Sequence, residues 1–189
     1  MWVVRRTRIR VNRFPRFGEH FELTTFCSGL GRMWAERRTD IAIRGAAADE
    51  PAGADVQAVS LWVHLDAHWR PSPLTAAEIE TYRGSDEPRR VSARLHHPVP
   101  ESLDGGEPWS FRATDCDLAG HVNNAAYWQP LEEELLAAPD PERIDAEIEY
   151  RAPAQPGRKR VVRHGVYRWI VGDDGEVHAS IRLGPASGG

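Results

Sequence analysis

Cysteine is nearly absent. Cys27 and Cys116 are the only two in the chain, with no C-x-x-C pair and no grouping of cysteine with histidine at metal-ligand spacing. That excludes a disulfide framework and predicts free thiols with no structural metal. His64 and His68 are four apart, but "VSLWVHLDAHW" alternates like a strand, so the two imidazoles do not share a helical face. Long apolar runs are also missing: no stretch approaches the ~18 residues of a membrane span, and no basic segment near Met1 leads into an apolar run of about 7–15. A cytoplasmic protein without a membrane partner is expected. Nor is there a charge excess, since a net −4 and a pI near 6.1 argue against general nucleic-acid affinity.

What is present is enough apolar material, 41% of 189 residues, to bury a core in one domain or two small ones. The first half reads as strands. "TRIRVNRF" alternates with Ile9 and Val11 on one face, Pro15 and Gly18 interrupt it, and "EHFELTTFCSGL" resumes. "MWAERRTDIAI" and "DVQAVSLWVHL" follow, separated by a loop through residues 45–54. Thr75 followed by Glu78 is a capping box opening a short helix, "TAAEIETY". The polar, proline-punctuated stretch that follows, 84–106, reads as a linker.

In the second half "EPWSFRAT" is a strand and residues 123–137 a helix, with Tyr127, Leu131 and Leu135 recurring every four residues. Pro130 inside that helix predicts a kink near Ala126. Three further strands are expected: "RIDAEIEYRAP", "KRVVRHGVYRWIV" and "EVHASIRL", the last two joined by the hairpin signal "GDDG".

The chain also carries a faint internal repeat. "IRVNRFPRFG" at 9–18 matches "IEYRAPAQPG" at 148–157 in its alternation, its proline and its closing glycine. A strand and a helix precede the second copy and have no counterpart before Ile9, so the first unit is expected to be incomplete, or its true start to lie upstream of Met1.

Between strand and helix lies "TDCDLAGHVNN", residues 114–124. With its flanks it resembles the D-x-D-x-N-x-H-V-N-N-x-x-Y segment of acyl-ACP thioesterases. "WVVRRTRIRVNRFPRFGEHFELTTF", "ERRTDI" and "SLWVHLD" are similar, in order, to segments of that family's first half. The resemblance implies an α+β fold of tandem hotdog units, each an antiparallel β-sheet around a central helix, the N-terminal one incomplete. The units are then 1–83 and 107–189, with the linker at 84–106. It further implies hydrolysis of a fatty acyl thioester, carried on acyl carrier protein or coenzyme A, in fatty acid biosynthesis, with no cofactor or metal.

Thioester hydrolysis needs a group to activate water and donors for the developing oxyanion. Asp117 matches the motif's second aspartate, and "DCDLAG" is also similar to the D-C-D-x-A-G of 4-hydroxybenzoyl-CoA thioesterases, where that aspartate is catalytic. His121 matches the motif histidine, as its partner or proton donor. Gly120 lets backbone approach the thioester, the amides of His121 and Val122 are candidate oxyanion donors, and Asn123 and Asn124 match the positioning asparagines. Two departures stand out. The family's catalytic asparagine falls on Ala119, and "EYR" is followed by "APAQPG" instead of the plant enzymes' Glu-Cys pair.

Simpler readings apply to the same residues. Asp115 or Asp117 can cap a turn and Asn123 a helix. Cys116, between two carboxylates, is expected to be inert, and Tyr127 and Trp128 to pack on the sheet. The arginines at 5, 6, 8, 10, 13 and 16 are either a solvated strand face or a landing surface for an acidic carrier protein. The alternatives to the hydrolase are a non-catalytic acyl-binding protein or an inactive truncated thioesterase. A hotdog hydratase ranks lower, because its D-x-x-x-x-H spacing is not that of Asp117 and His121. An exposed apolar sheet face in a truncated unit would favour a homodimer.

Overall fold

A computed structural model describes residues 1–44, 55–83, 89–100, 102–137 and 141–184. The loop expected at 45–54 and residues 84–88 of the linker lie outside them. The chain divides into two units, one of residues 1–94 with Glu142–Asp145, the other of Leu95–Pro141 with Ala146–Gly184.

In the first unit the alternating segments form β1 (Trp2–Val11), β2 (His20–Leu30), β3 (Trp34–Arg44) and β4 (Val56–His64). They pair antiparallel in the spatial order β2-β3-β4-β1, and β5 (Arg89–Arg90) adds two residues in parallel to the end of β2. Because side chains alternate across a sheet, directly paired residues share a face. One face thus collects Leu23, Ile41, Val56 and Val11, with Phe21 beside Ile43. The short helix α1 (Ala76–Arg83) opens with the expected box: the Thr75 amide donates to Glu78 Oε2 at 2.7 Å and the Glu78 amide to Thr75 Oγ1 at 3.2 Å. Its Tyr82 meets Trp2 edge-on at 5.7 Å, and Cys27, a free thiol like Cys116, lies on the same face.

In the second unit β6 (Glu107–Phe111) precedes the turn and helix, and β7 (Ile144–Tyr150), β8 (Gly157–His164), β9 (Tyr167–Gly172) and β10 (Val177–Gly184) follow, in the order β7-β10-β9-β8-β6. The segment expected as one strand at 159–171 is two strands. Gly165, at φ +56°, supports a tight turn between His164 and Tyr167 that a β-branched residue could not, so the chain doubles back there. The expected kink is also corrected. Residues 123–125 are not helical; Ala126–Trp128 form a 3-10 turn, and α2 begins at Gln129 and ends at Leu136. Pro130 therefore sits in the first turn, where its missing N–H has no intrahelical partner to lose.

Ile148, Ile170, Val171, Ala179 and Ile181 are fully buried, and the successive Ile170 and Val171 lie on opposite faces of their strand. Each large aliphatic contributes roughly 1.5–3 kcal/mol by leaving water. Residues 95–100 and 102–105 are strapped onto the sheet: Trp169 Nε1 donates to the Pro98 carbonyl at 3.1 Å, Arg160 to the carbonyls of Leu103 and Gly105, and Leu103 packs on Val162, Trp169 and Val171. No helix among the described residues is long and apolar enough to cross a membrane.

Candidate active site

After Phe111, paired with Gly157 at the sheet edge, the chain must reverse before α2. Two residues clamp the reversal. Asp115 is buried; its Oδ2 accepts the Arg112 amide at 2.6 Å and its carbonyl accepts both the amide (2.8 Å) and the side-chain Nδ2 (2.6 Å) of Asn123. Asn123 Oδ1 in turn accepts the Ala126 amide at 3.0 Å, capping the 3-10 turn. Asn123 is thus spent on holding the loop and not on a ligand.

Inside the clamp Cys116 bridges Val122, and a tight turn closes with the Asp117 amide on the His121 carbonyl (2.9 Å) and the Gly120 amide on the Asp117 carbonyl (3.0 Å). Aspartate at the first position and glycine at the fourth is the chemistry such a turn selects, and Gly120 adopts φ +77°. Nothing lies within 4 Å of where its Cβ would stand, so the backbone conformation demands glycine and the space above it is open.

Asp117 is exposed on this turn. Its Oδ1 accepts the Ala119 amide at 2.9 Å, which fixes the carboxylate over the turn, while among the described residues the other oxygen has no protein partner. His121 is half-buried and is tied to Asp117 through the main chain; no side-chain bond joins the two among the described residues. One of the two expected oxyanion donors is already engaged. The Val122 amide is committed to the Ala154 carbonyl at 2.9 Å, and the Gly120 amide to Asp117. Among the described residues the amides of His121 and Asn124 are not engaged in this way, and the Asn124 carbonyl accepts the Tyr150 hydroxyl at 3.0 Å.

Tyr127 packs between Phe111 and Tyr150, at 5.3 and 5.5 Å, and its hydroxyl accepts the Ala154 amide at 2.8 Å. Burial pushes this phenol up to about 12, and the nearby charge of Asp117 adds to the effect, so it stays protonated. Ala154 occupies the stretch where the plant enzymes carry Glu-Cys. Here that stretch is a backbone clamp, gripped on one side by Val122 and on the other by Tyr127.

A second polar cluster escaped the sequence reading because its members come from distant segments. His97 is buried with Nδ1 at 3.0 Å from Ser180 Oγ and Nε2 at 3.2 Å from Glu147. The fully buried Glu149 accepts the amides of His96 (2.5 Å) and His97 (3.1 Å). Ligand atoms of His97, Glu147 and Glu149 lie within 4.8 Å of one another, close enough to hold a metal ion. The positive charge is already supplied, however, by Arg151, 3.5 Å from Glu149 and bonded to the His97 carbonyl. Ser180 has no access to solvent and accepts from Arg151 Nε at 3.3 Å, so the serine, histidine and carboxylate are a structural knot and not a nucleophile with its base. The only sequence signal was a paired histidine before Pro98.

Three arginines of the run pair with carboxylates of their own unit. Arg8 makes two bonds to Asp145 at 2.8 and 2.5 Å, Arg10 reaches the same carboxylate at 3.5 Å, and Arg13 pairs with Glu19 and Asp55.

Comparison with known proteins matches this arrangement. The family model of the acyl-ACP thioesterase N-terminal domain covers residues 1–80, and that of the C-terminal domain residues 104–166. An uncharacterised protein of Mycobacterium tuberculosis is 29% identical over 96% of this chain and 73% of its own length. A chloroplastic oleoyl-acyl carrier protein thioesterase of Coriandrum sativum is 28% identical over 82% of this chain, which spans 44% of that relative. In fold, the chain is similar to the 12:0-ACP thioesterase of Umbellularia californica (TM-score 0.69, 20% identity, 97% of this chain and 74% of that one). It is equally similar to an acyl-ACP thioesterase of Bacteroides thetaiotaomicron (TM-score 0.69, 19% identity, 96% and 75%). With both family domains matched in order along most of its length, and the sheet-dominated hotdog architecture of the solved relatives, this chain belongs to the acyl-ACP thioesterase family.

Proposed function

We propose that the protein hydrolyses a fatty acyl thioester, on acyl carrier protein or coenzyme A, to free acid and thiol, within fatty acid biosynthesis in the cytoplasm. In this reading the two units are hotdog domains in tandem, bounded at about 1–83 and 107–189. The observation that carries it is Asp117, held exposed over an open turn by the Ala119 amide.

The Asp117 carboxylate takes a proton from water as the water oxygen attacks the thioester carbon. The carbonyl becomes an oxyanion facing the uncommitted His121 amide, and its collapse expels the thiolate, which takes up the proton. His121 supports the turn through its carbonyl. Acyl binding without hydrolysis is the second reading. It is favoured by Ala119, which brings no side-chain amide, and by the use of Ala154 as a clamp where the plant enzymes have reactive groups. Thiol release from acyl-ACP and acyl-CoA panels, beside folded Asp117→Asn, separates the two. Release that falls at least ~100-fold supports hydrolysis at this turn. Binding of acyl groups with no release by the parent supports the second reading.

A further inference from the structure

Several arginines of the second unit sit against a carboxylate: Arg151 lies beside Glu149, and Arg163 and Arg168 share Glu134. Four cations depart from this pattern. Arg112, Arg158, Lys159 and Arg160 line a groove of about 880 Å³ beside β6, and none of them forms an ion pair among the described residues. Lys159 Nζ rests on the Arg158 carbonyl at 3.0 Å and Arg160 on the carbonyls of Leu103 and Gly105, so neutral acceptors hold both charges in place. Arg112 and Arg158 are exposed.

Carboxylates are nonetheless at hand. Glu132, Glu133 and Asp173 line the same groove, all three exposed, and pair with none of the four cations. Opposite charges set around one cavity without closing on each other suit a ligand that carries both anionic groups and hydrogen-bond donors. Trp109, half-buried in the same lining, adds an aromatic surface.

We infer that this groove takes the phosphorylated adenosine end of coenzyme A, which makes acyl-CoA a substrate for the carboxylate of Asp117. The guanidinium forks of Arg112 and Arg158 match phosphate oxygens in bidentate fashion, as a point charge would not. Adenine brings a flat face for Trp109 and an exocyclic amine that donates to a carboxylate of α2. A simple anion offers only the phosphate contacts, and the acidic residues of the groove repel it. The placement fits the reaction as well, because Arg112 directly follows β6 and its amide is held by Asp115 within the reversal that presents Asp117. Five residues along the chain separate Arg112 from Asp117. Their Cα atoms therefore stand within ~18 Å, a span that an extended pantetheine arm covers. The substrate assignment rests on hydrolysis at Asp117; binding of the nucleotide does not.

The test titrates 3′,5′-adenosine bisphosphate, which carries no thioester, into the whole chain by calorimetry, beside adenosine and inorganic phosphate. Expected is saturable binding of the bisphosphate, at least about 10-fold tighter than either part alone. Arg112→Ala and Arg158→Ala, both at exposed side chains, each weaken it at least about 10-fold with an unchanged circular dichroism spectrum. In turnover, Arg158→Ala raises KM for acyl-CoA and leaves kcat in place. No saturable binding overturns the inference, as does inorganic phosphate binding as tightly as the bisphosphate, or bisphosphate binding that neither variant weakens. Bisphosphate binding in a chain that releases no thiol upholds the groove and removes the chemistry from Asp117. Thiol release from acyl-CoA with KM unmoved in Arg158→Ala does the reverse.

Discussion

The strands of the two units share one spatial order but meet opposite fates. In the second unit the strands flank a helix and a strap; β7 and β9 are buried along most of their length and β10 along half. In the first unit β1 is half-exposed almost throughout and β2 exposed over most of its length. The alternation of apolar residues is comparable in both. An amphipathic strand thus specifies which face seeks a partner, but burial follows only where some other element supplies the covering surface. The chemistry proposed for Asp117 sits on the covered unit, where its turn is clamped between the sheet edge and the helix.

The repeat gives the sharpest way to probe that difference, since Ile9 and Ile148 hold equivalent places. Ile148→Ala, at a site with 0% exposure, is expected to cost ~2–5 kcal/mol, against under ~1.5 kcal/mol for Ile9→Ala in its half-exposed strand. Denaturant midpoints of the two variants measure this, and equal costs would mean the first sheet is covered in solution. Next comes Asp117→Asn, expected to lose about 2.7 kcal/mol of transition-state stabilisation with folding intact, read as a ~100-fold fall in thiol release. Unchanged turnover would move the chemistry away from this turn.

Tyr127→Phe is smaller. It leaves the buried Ala154 amide without its acceptor at a cost of about 1–3 kcal/mol, and thermal unfolding checks it. The mildest contrast is in pH. Burial, then the charge of Lys159, lowers His178 below its ordinary 6.5, so the unfolded chain takes up that proton first; the stability is present above 6.5 and lost as pH falls below it. The Arg168 hydrogen bond, ahead of Arg163, lowers Glu134 below its ordinary 4.5, so its share is lost only as pH falls through 4.5 and beyond. Both groups lie in the second unit. The lowered carboxylates of the first, Glu19, Asp66 and Glu78, are at the surface where water screens them. Amide protection, taken relative to the intrinsic exchange rate at each pH, is therefore expected to fall between pH 7.5 and 5 in the second unit before the first, and His178→Gln to flatten the upper part of that dependence.

Much of this was legible in the residues. The period-two alternation located most of the strands, Thr75 and Glu78 announced their cap, and the closing glycines of the repeat marked equivalent turns. The division of "KRVVRHGVYRWIV" was missed because alternation continues through a two-residue hairpin, leaving Gly165 as its sole sign. The helix start was placed too early because the apolar period extends back through the 3-10 turn to Tyr127. At the motif, the residue types pointed to a turn bearing a carboxylate, and that is what forms. Which amides remain for an oxyanion could not be read, since Val122 is claimed by Ala154, thirty-two positions away.

The sequence by itself determined the local terms: strand periodicity, caps, the aspartate-to-glycine turn and the family motif, all of which depend on neighbours a few bonds apart. The tertiary structure decided the non-local ones. It made Glu149 and His97 a buried knot, turned residues 95–100 and 102–105 into a strap, and spent Arg8, Arg10 and Arg13 on Asp145, Glu19 and Asp55. Burial and pairing depend on which distant surfaces meet, and residue spacing along the chain does not encode that directly.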